Sequence, residues 1–167
     1  MNSSDEILVL GLGNEILSDD GVGVKIVNDL APRLEMPGVD FNTSVLGGLE
    51  LLEIISGYHT IIIVDAIMTG LFQPGEMLRY SLGNYRETLH LSNPHDTNFK
   101  ATLDFGEKIG FQIPRVIRIL AIEIEECLLF SNSFSKTLAT KYQDILQTTQ
   151  SYIKSIIALR QNKLVMN

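Results

Sequence analysis

The sequence predicts an α/β fold in which an open, twisted, mostly parallel sheet of about five strands carries helices on both faces. Three observations predict this class. Short apolar runs alternate along the chain with patterns of helical spacing. The first run ends in Gly11-Leu12-Gly13 and leads into a helix start, which is the opening unit of such a sheet. A later run, 60–64, is continuously apolar or β-branched and ends in Asp65, as expected for a strand buried on both faces.

The first third of the chain predicts a β-α-β-α order. Residues 7–10 predict a strand, and Ser18-Asp19-Asp20 predicts the cap of an amphipathic helix over about 20–34. Residues 39–45 predict a second strand. The pair Gly47-Gly48 breaks this strand before a short apolar helix that ends near position 57.

The middle of the chain supplies the sheet centre and an edge. The run 60–65 predicts the central strand, and 76–81 predicts an edge strand that is antiparallel to its neighbour. A loop over 83–94 then leads to His95 and to Asp96, which predicts the cap of a further helix. His95 is therefore expected at the mouth of the sheet.

The last third predicts one strand and one long helix. Residues 115–123 are rich in β-branched side chains and predict a strand. Ser135 predicts the cap of a long helix whose apolar stripe packs into the core. We expect residues 160–167 to form a frayed tail.

Length and composition favour a single globular domain over residues 1–167. The chain has 13 basic and 20 acidic side chains and a formal charge of -7, which argues against nucleic acid or an anionic membrane as partner. No apolar run approaches the ~20 residues that cross a bilayer. The single cysteine, Cys127, cannot form an internal disulfide, and we expect a cytoplasmic location.

The first turn does not fit a nucleotide. A dinucleotide fingerprint needs a third glycine where this chain has Ile16, and Glu15, Asp19 and Asp20 would repel a phosphate at the helix start. A carboxylate at the carboxyl end of a first strand suits a cation better. The alternative is that Glu15 is a solvated loop residue and that Asp19 and Asp20 only cap the helix.

Three side chains are expected to converge at this end of the sheet: Glu15, Asp65 and His95. Right-handed connections bring the ends of the first and third strands together, and His95 precedes a helix start. Two carboxylates and an imidazole suit nickel, zinc or iron, and three ligands leave positions open for chemistry. On spacing alone, each of these three residues is also compatible with a position that binds no metal. We interpret His59 and His90 in that way.

An acidic cluster and the cysteine follow the last predicted strand. Glu123, Glu125 and Glu126 are interpreted as a solvated strand exit, not as a second metal site. Negative charge beside Cys127 disfavours its thiolate, so this cysteine is interpreted as structural.

The order of several motifs identifies a family resemblance. The motifs are Gly11-x-Gly13-Asn14-Glu15-x-Leu17-x-Asp19-Asp20-Gly21-x-Gly23, then Gly47-Gly48 with Leu51-Leu52, then Val64-Asp65-Ala66, then His95-Asp96. This order resembles the maturation endopeptidases of nickel-iron hydrogenases, closely over residues 1–105 and by general pattern beyond. The resemblance implies a single domain of that kind.

The resemblance implies an endopeptidase that removes a C-terminal extension from the precursor of the hydrogenase large subunit after nickel insertion. It also implies that Glu15, Asp65 and His95 form a metal-binding triad, which docks onto nickel supplied by the precursor. The nucleophile would be a polarised water. We expect a monomer that meets its substrate transiently and is isolated without tightly held metal.

One departure from the family pattern concerns the paired glycines. Family members often carry Asp before and Thr after them, whereas Leu46 and Leu49 flank Gly47-Gly48 here. The chain is therefore expected to serve a differently shaped hydrogenase. Two other functions stay open at this point: a nickel-binding checkpoint protein that does not cut, and a zinc aminopeptidase-like hydrolase.

Overall fold

A computed structural model describes residues 6–45, 47–83 and 99–165. Five strands form one sheet in the order β2-β1-β3-β5-β4. They are β1 (Ile7–Leu12), β2 (Val39–Ser44), β3 (Thr60–Ile67), β4 (Met77–Ser81) and β5 (Val116–Glu123). The first, second, third and fifth strands are parallel, and β4 is antiparallel to β5 at one edge. The predicted sheet is confirmed, including the central position of β3 and the antiparallel edge strand.

Helices cover both faces of the sheet. They are α1 (Val22–Leu30), α2 (Glu50–Ile55), α3 (Phe99–Lys108) and α4 (Lys136–Val165), and short 3-10 turns flank α1 at Ser18–Gly21 and Ala31–Arg33. Alternate residues of each buried strand point to opposite faces. One face packs Val9 and Ile62 against α1 and α4, while the other packs Leu10 and Ile63 against α2 and α3. The expected two-sided burial is confirmed.

Side-chain capping agrees with the prediction at one helix and differs from it at another. The Ser135 hydroxyl accepts a hydrogen bond from the Leu138 N–H at 3.2 Å, so the predicted cap of α4 is confirmed. The predicted Ser18-Asp19-Asp20 cap is wrong, because no side chain caps the 3-10 turn or α1. The backbone of α4 is helical to Val165, and the fraying of residues 160–167 stays a prediction.

Several predictions fall on parts of the chain that the structure does not describe. These are the loop 84–94, His90, His95, the cap at Asp96, and Leu46 before the paired glycines. In the parts that the structure does describe, no helix has both the length and the apolar character to cross a bilayer.

Candidate functional site

The carboxyl ends of β1, β3 and β5 meet at one edge of the sheet. Gly11 of β1 pairs with Val64 of β3, and Asp65 of β3 pairs with Ala121 of β5. The first and third strands are therefore parallel neighbours, as the sequence predicted. Glu15 follows the end of β1, so the two predicted carboxylates belong to adjacent strand ends.

Glu15 is exposed on the turn that leaves β1. Hydrogen bonds hold the backbone of this turn on both sides. The Asn14 N–H donates to the Asp20 carboxylate at 2.7 Å, and the Ser131 N–H donates to the Ile16 carbonyl at 3.0 Å. These hydrogen bonds restrain the backbone of the turn. The torsions of the exposed Glu15 side chain allow it to adjust toward a ligand.

Two glycines bring the start of α1 onto the strand ends. A Cβ atom on Gly21 would lie 2.7 Å from the Glu15 Cα, so this position has no room for a side chain. A Cβ on Gly23 would lie 2.3 Å from the Val64 carbonyl oxygen and 2.4 Å from that of Leu12. The Asp-Asp-Gly-x-Gly motif is therefore a packing requirement, which places the turn of Glu15 directly above β1 and β3.

Asp65 differs from Glu15 in being buried. Its side chain is 1% exposed, and its Oδ1 accepts the backbone N–H of Ala66 at 2.8 Å. A carboxylate held within a central strand has little freedom, because both faces of the strand are packed. The edge thus combines an exposed carboxylate at Glu15 with a fixed one at Asp65.

The third predicted ligand, His95, lies outside the described residues. Within residues 6–45, 47–83 and 99–165, no three His, Cys, Asp or Glu side chains are grouped so that they would hold a metal ion. The convergence of Glu15, Asp65 and His95 therefore stays a prediction.

Asp19 and Asp20 support the site and do not cap a helix. Both are buried, and Asp19 accepts the Ser135 N–H at 2.7 Å while Asp20 accepts the Asn14 N–H at 2.7 Å. Asp20 closes the turn that carries Glu15. Asp19 joins that turn to the start of α4. The sequence did not reveal this role, because Asp is common both at helix caps and in tight turns.

Glu123 corrects the interpretation of the acidic cluster. It is 1% exposed, and it accepts hydrogen bonds of 2.8 Å each from the Thr69 N–H, the Thr69 hydroxyl and the Gly70 N–H. The prediction of a solvated strand exit is therefore wrong for Glu123, although Glu125 is exposed. A signal was present in Thr69-Gly70, because a Thr-Gly turn carries backbone donors that need an acceptor.

Glu126 and Cys127 continue the same loop. The Glu126 carboxylate accepts the N–H groups of Leu128 and Leu129 at 2.7 and 3.0 Å, and these hydrogen bonds lower the pKa of Glu126. Burial raises the pKa of the Cys127 thiol, and the nearby carboxylates of Asp20 and Glu126 add to the effect. The thiol therefore stays protonated and unreactive near neutral pH.

Sequence comparisons point to one family. A family model described as HycI, hydrogenase maturation protease, matches residues 24–151. The hydrogenase 2 maturation protease of Escherichia coli K12 is 40% identical over 73 residues, which are 43% of this chain and 44% of that protein, so the match spans less than half of the relative. The hydrogenase expression/formation protein HoxM of Azotobacter vinelandii is 26% identical over 160 residues, covering 90% of this chain and 73% of the relative.

Solved structures show the same fold. The hydrogenase maturating endopeptidase HybD from Escherichia coli has a TM-score of 0.67 at 23% identity, covering 90% of this chain and 93% of that chain. The [NiFe] hydrogenase maturation protease HybD from Thermococcus kodakarensis has a TM-score of 0.62 at 24% identity, covering 88% of this chain and 98% of that chain. Because the family model matches most of the sequence, the chain belongs to the hydrogenase maturation protease family.

Proposed function

We propose that this protein is an endopeptidase that removes the C-terminal extension of a nickel-iron hydrogenase large-subunit precursor after nickel has been inserted. Family membership supports the class of reaction. The observation that carries the proposal is the edge of the sheet where β1 and β3 end side by side. That edge presents an exposed carboxylate, Glu15, next to the strand that holds the buried carboxylate of Asp65.

In this proposal the nickel belongs to the substrate. Glu15, Asp65 and His95 supply two oxygen ligands and one nitrogen ligand, a set that suits a divalent first-row metal with open positions. The precursor brings the metal, and the triad binds to the positions that the precursor leaves open. Binding then reports that nickel is present and aligns the scissile peptide bond with the two carboxylates.

Water is the proposed nucleophile. The Glu15 carboxylate is exposed. It accepts a proton from a water molecule while the oxygen of that water attacks the carbonyl carbon of the peptide bond. The proton passes to the leaving nitrogen as the C–N bond breaks. Asp65, fixed in β3, acts as the rigid ligand. The raised pKa of Cys127 argues against a thiolate as the attacking group.

A cleavage assay tests the function. Purified protein is incubated with nickel-loaded and with nickel-free precursor, and the precursor is weighed by mass spectrometry. We expect loss of a C-terminal peptide from the nickel-loaded form only, and no loss with Asp65→Asn. If nickel-loaded precursor binds the wild-type protein but stays intact, the proposed protease function is overturned and the checkpoint function is favoured. Release of single residues from small peptides by zinc-loaded protein would favour the aminopeptidase-like function.

Metal affinity tests the triad directly. We expect nickel or cadmium affinity to fall at least about tenfold in each of Glu15→Gln, Asp65→Asn and His95→Ala, because each substitution removes one ligand. Affinity should also fall at acid pH, because only the neutral imidazole binds metal. Affinity equal to that of the wild type in all three variants would overturn the shared site.

We also propose that the protein acts in the cytoplasm as a monomer. A precursor that must receive nickel before it is cut is a transient partner, and a monomer leaves the carboxyl edge of the sheet open to it. Sedimentation of the purified chain at several concentrations tests this part of the proposal.

A further inference from the structure

Large apolar side chains are exposed on the loops that follow β1, β3 and β5. We call this group the apolar platform, and it consists of Ile16, Leu71, Phe72, Leu128, Leu129 and Phe130. Leu71 and Leu128 are each 81% exposed, and Phe130 is 79% exposed. Exposed apolar side chains that lie together often mark an interaction site.

One half of the platform is fastened to the turn of Glu15. The Ser131 N–H donates to the Ile16 carbonyl at 3.0 Å, and the Ser18 N–H donates to the Ser131 carbonyl at 2.9 Å. Leu128, Leu129 and Phe130 immediately precede Ser131. Their loop therefore runs alongside the turn that presents the exposed Glu15 carboxylate.

The other half is fastened to the end of β5. Glu123 accepts hydrogen bonds from Thr69 and Gly70, which directly precede Leu71 and Phe72. The Cys127 sulfur lies 4.0 Å from the Met68 sulfur, so the loop after β3 also contacts the loop after β5. The three loops that leave β1, β3 and β5 are thus joined to one another at the edge that carries the candidate site.

Hydrogen bonds within the chain hold one loop of the platform. The Glu126 carboxylate accepts the N–H groups of Leu128 and Leu129, which fixes the loop with these two side chains outward. A surface that is ordered before it binds loses less conformational entropy on binding. The arrangement favours a recognition surface over incidental exposure.

Charge indicates the chemistry of the partner. The segments 11–20, 66–76 and 123–135 contain no lysine or arginine. They do contain carboxylates, and those of Glu15, Glu76 and Glu125 are exposed. An acidic segment of a partner would be repelled here, whereas an apolar segment with basic residues would be attracted.

We propose that the apolar platform binds an apolar, positively charged segment of the precursor adjacent to the scissile bond. This inference rests on the proposed function, because it takes the substrate to be a polypeptide that reaches Glu15. The apolar side chains of the platform hold the segment, and this contact is independent of the contact between the triad and nickel.

A pair of variants tests the platform. Phe130→Ser with Leu128→Ser removes two of its exposed side chains, and Phe105→Ser with Leu159→Ser removes the same residue types from exposed positions on α3 and α4. Unchanged urea midpoints show that both proteins fold. Affinity is measured for nickel-free precursor, which lacks the metal contact, and KM is measured with nickel-loaded precursor.

We expect the platform variant to bind nickel-free precursor about 100-fold more weakly than the wild type, at about tenfold per side chain, and the control to bind within about twofold. Its KM should rise in parallel, and salt should weaken wild-type binding. Affinity and KM equal to those of the control would overturn the inference. Wild-type protein that binds through the platform without cutting would instead overturn the proposed function alone, and absence of both binding and cutting would overturn both.

Other occupants give different results. A second copy of this chain on the platform would produce a concentration-dependent dimer in sedimentation, abolished by the platform variant while precursor affinity is unchanged. A membrane would produce platform-dependent binding to phosphatidylcholine vesicles with unchanged precursor affinity. Either result would overturn the inference.

Discussion

Replacing Glu123 by alanine should loosen the loop after β3 and destabilise the whole protein. Glu123 is buried at the end of β5 and accepts three hydrogen bonds from Thr69 and Gly70. Alanine removes every acceptor at once. The donors of Thr69 and Gly70 belong to exposed residues, so water satisfies them in part after the substitution.

The expected loss in free energy of unfolding follows from these hydrogen bonds. A hydrogen bond to a charged group contributes roughly 1.5–3 kcal/mol, and burial of the carboxylate offsets part of the total. With rehydrated donors we expect Glu123→Ala to cost about 2–4 kcal/mol. Glu123→Gln should cost about 1 kcal/mol, because its carbonyl oxygen still accepts the two N–H groups and its amide donates to the Thr69 hydroxyl.

Urea unfolding followed by circular dichroism provides the measurement. At a slope of about 2 kcal/mol per molar urea, Glu123→Ala should lower the midpoint by about 1–2 M. Glu125→Ala is the matched control from the same acidic cluster, and its exposed position predicts a change below about 0.5 kcal/mol. A Glu123→Ala protein as stable as the Glu125→Ala protein would refute the anchoring role.

Three further predictions concern packing, reactivity and a buried hydroxyl. Gly23→Ala should cost about 2–4 kcal/mol in urea unfolding, because its Cβ would press on two strand carbonyls, while Gly83→Ala, with nothing within 4 Å, should change stability by less than about 0.5 kcal/mol. The raised pKa of Cys127 means that the folded protein forms less thiolate, so iodoacetamide at pH 8.5 should label it at least about tenfold more slowly than the urea-unfolded chain, and equal rates would contradict this. Tyr142→Phe removes the hydrogen bond of 2.7 Å that its hydroxyl donates to Asp29 and should cost about 1 kcal/mol, which a double-mutant cycle with Asp29→Ala should recover as coupling.

The sheet was predictable from the sequence because each strand carries its own local signal. The run 60–64 is apolar on both faces, and the alternation of strands and helices leaves few topologies once connections are right-handed. The edge strand at 77–81 was predictable for the opposite reason, since its side chains are only partly buried and it lies after a turn-rich segment. Local pattern and global fold agree at these places.

The polar supports of the site were not predictable in the same way. Glu123 and Glu125 are two residues apart and chemically alike, yet only Glu123 meets the donors of Thr69 and Gly70, which lie more than 50 positions earlier. Asp19 meets the Ser135 N–H across 116 positions. Local spacing assigned these carboxylates to a solvated exit and to a helix cap, because sequence pattern does not encode which distant donor a carboxylate will meet.

The links between the first turn and the start of α4 bear on the order of folding. The Ser18 hydroxyl donates to the Ser133 carbonyl, and Asp19 accepts the Ser135 N–H, across 115 and 116 positions respectively. Contacts this remote in sequence close a long loop and form slowly compared with local structure. During synthesis β1, β2 and β3 leave the ribosome before residue 133 exists, so the carboxyl edge of the sheet gains these supports only after residues 133–135 have been made. A nascent chain whose first three strands are paired therefore still lacks the hydrogen bonds that fasten the turn of Glu15 to the start of α4.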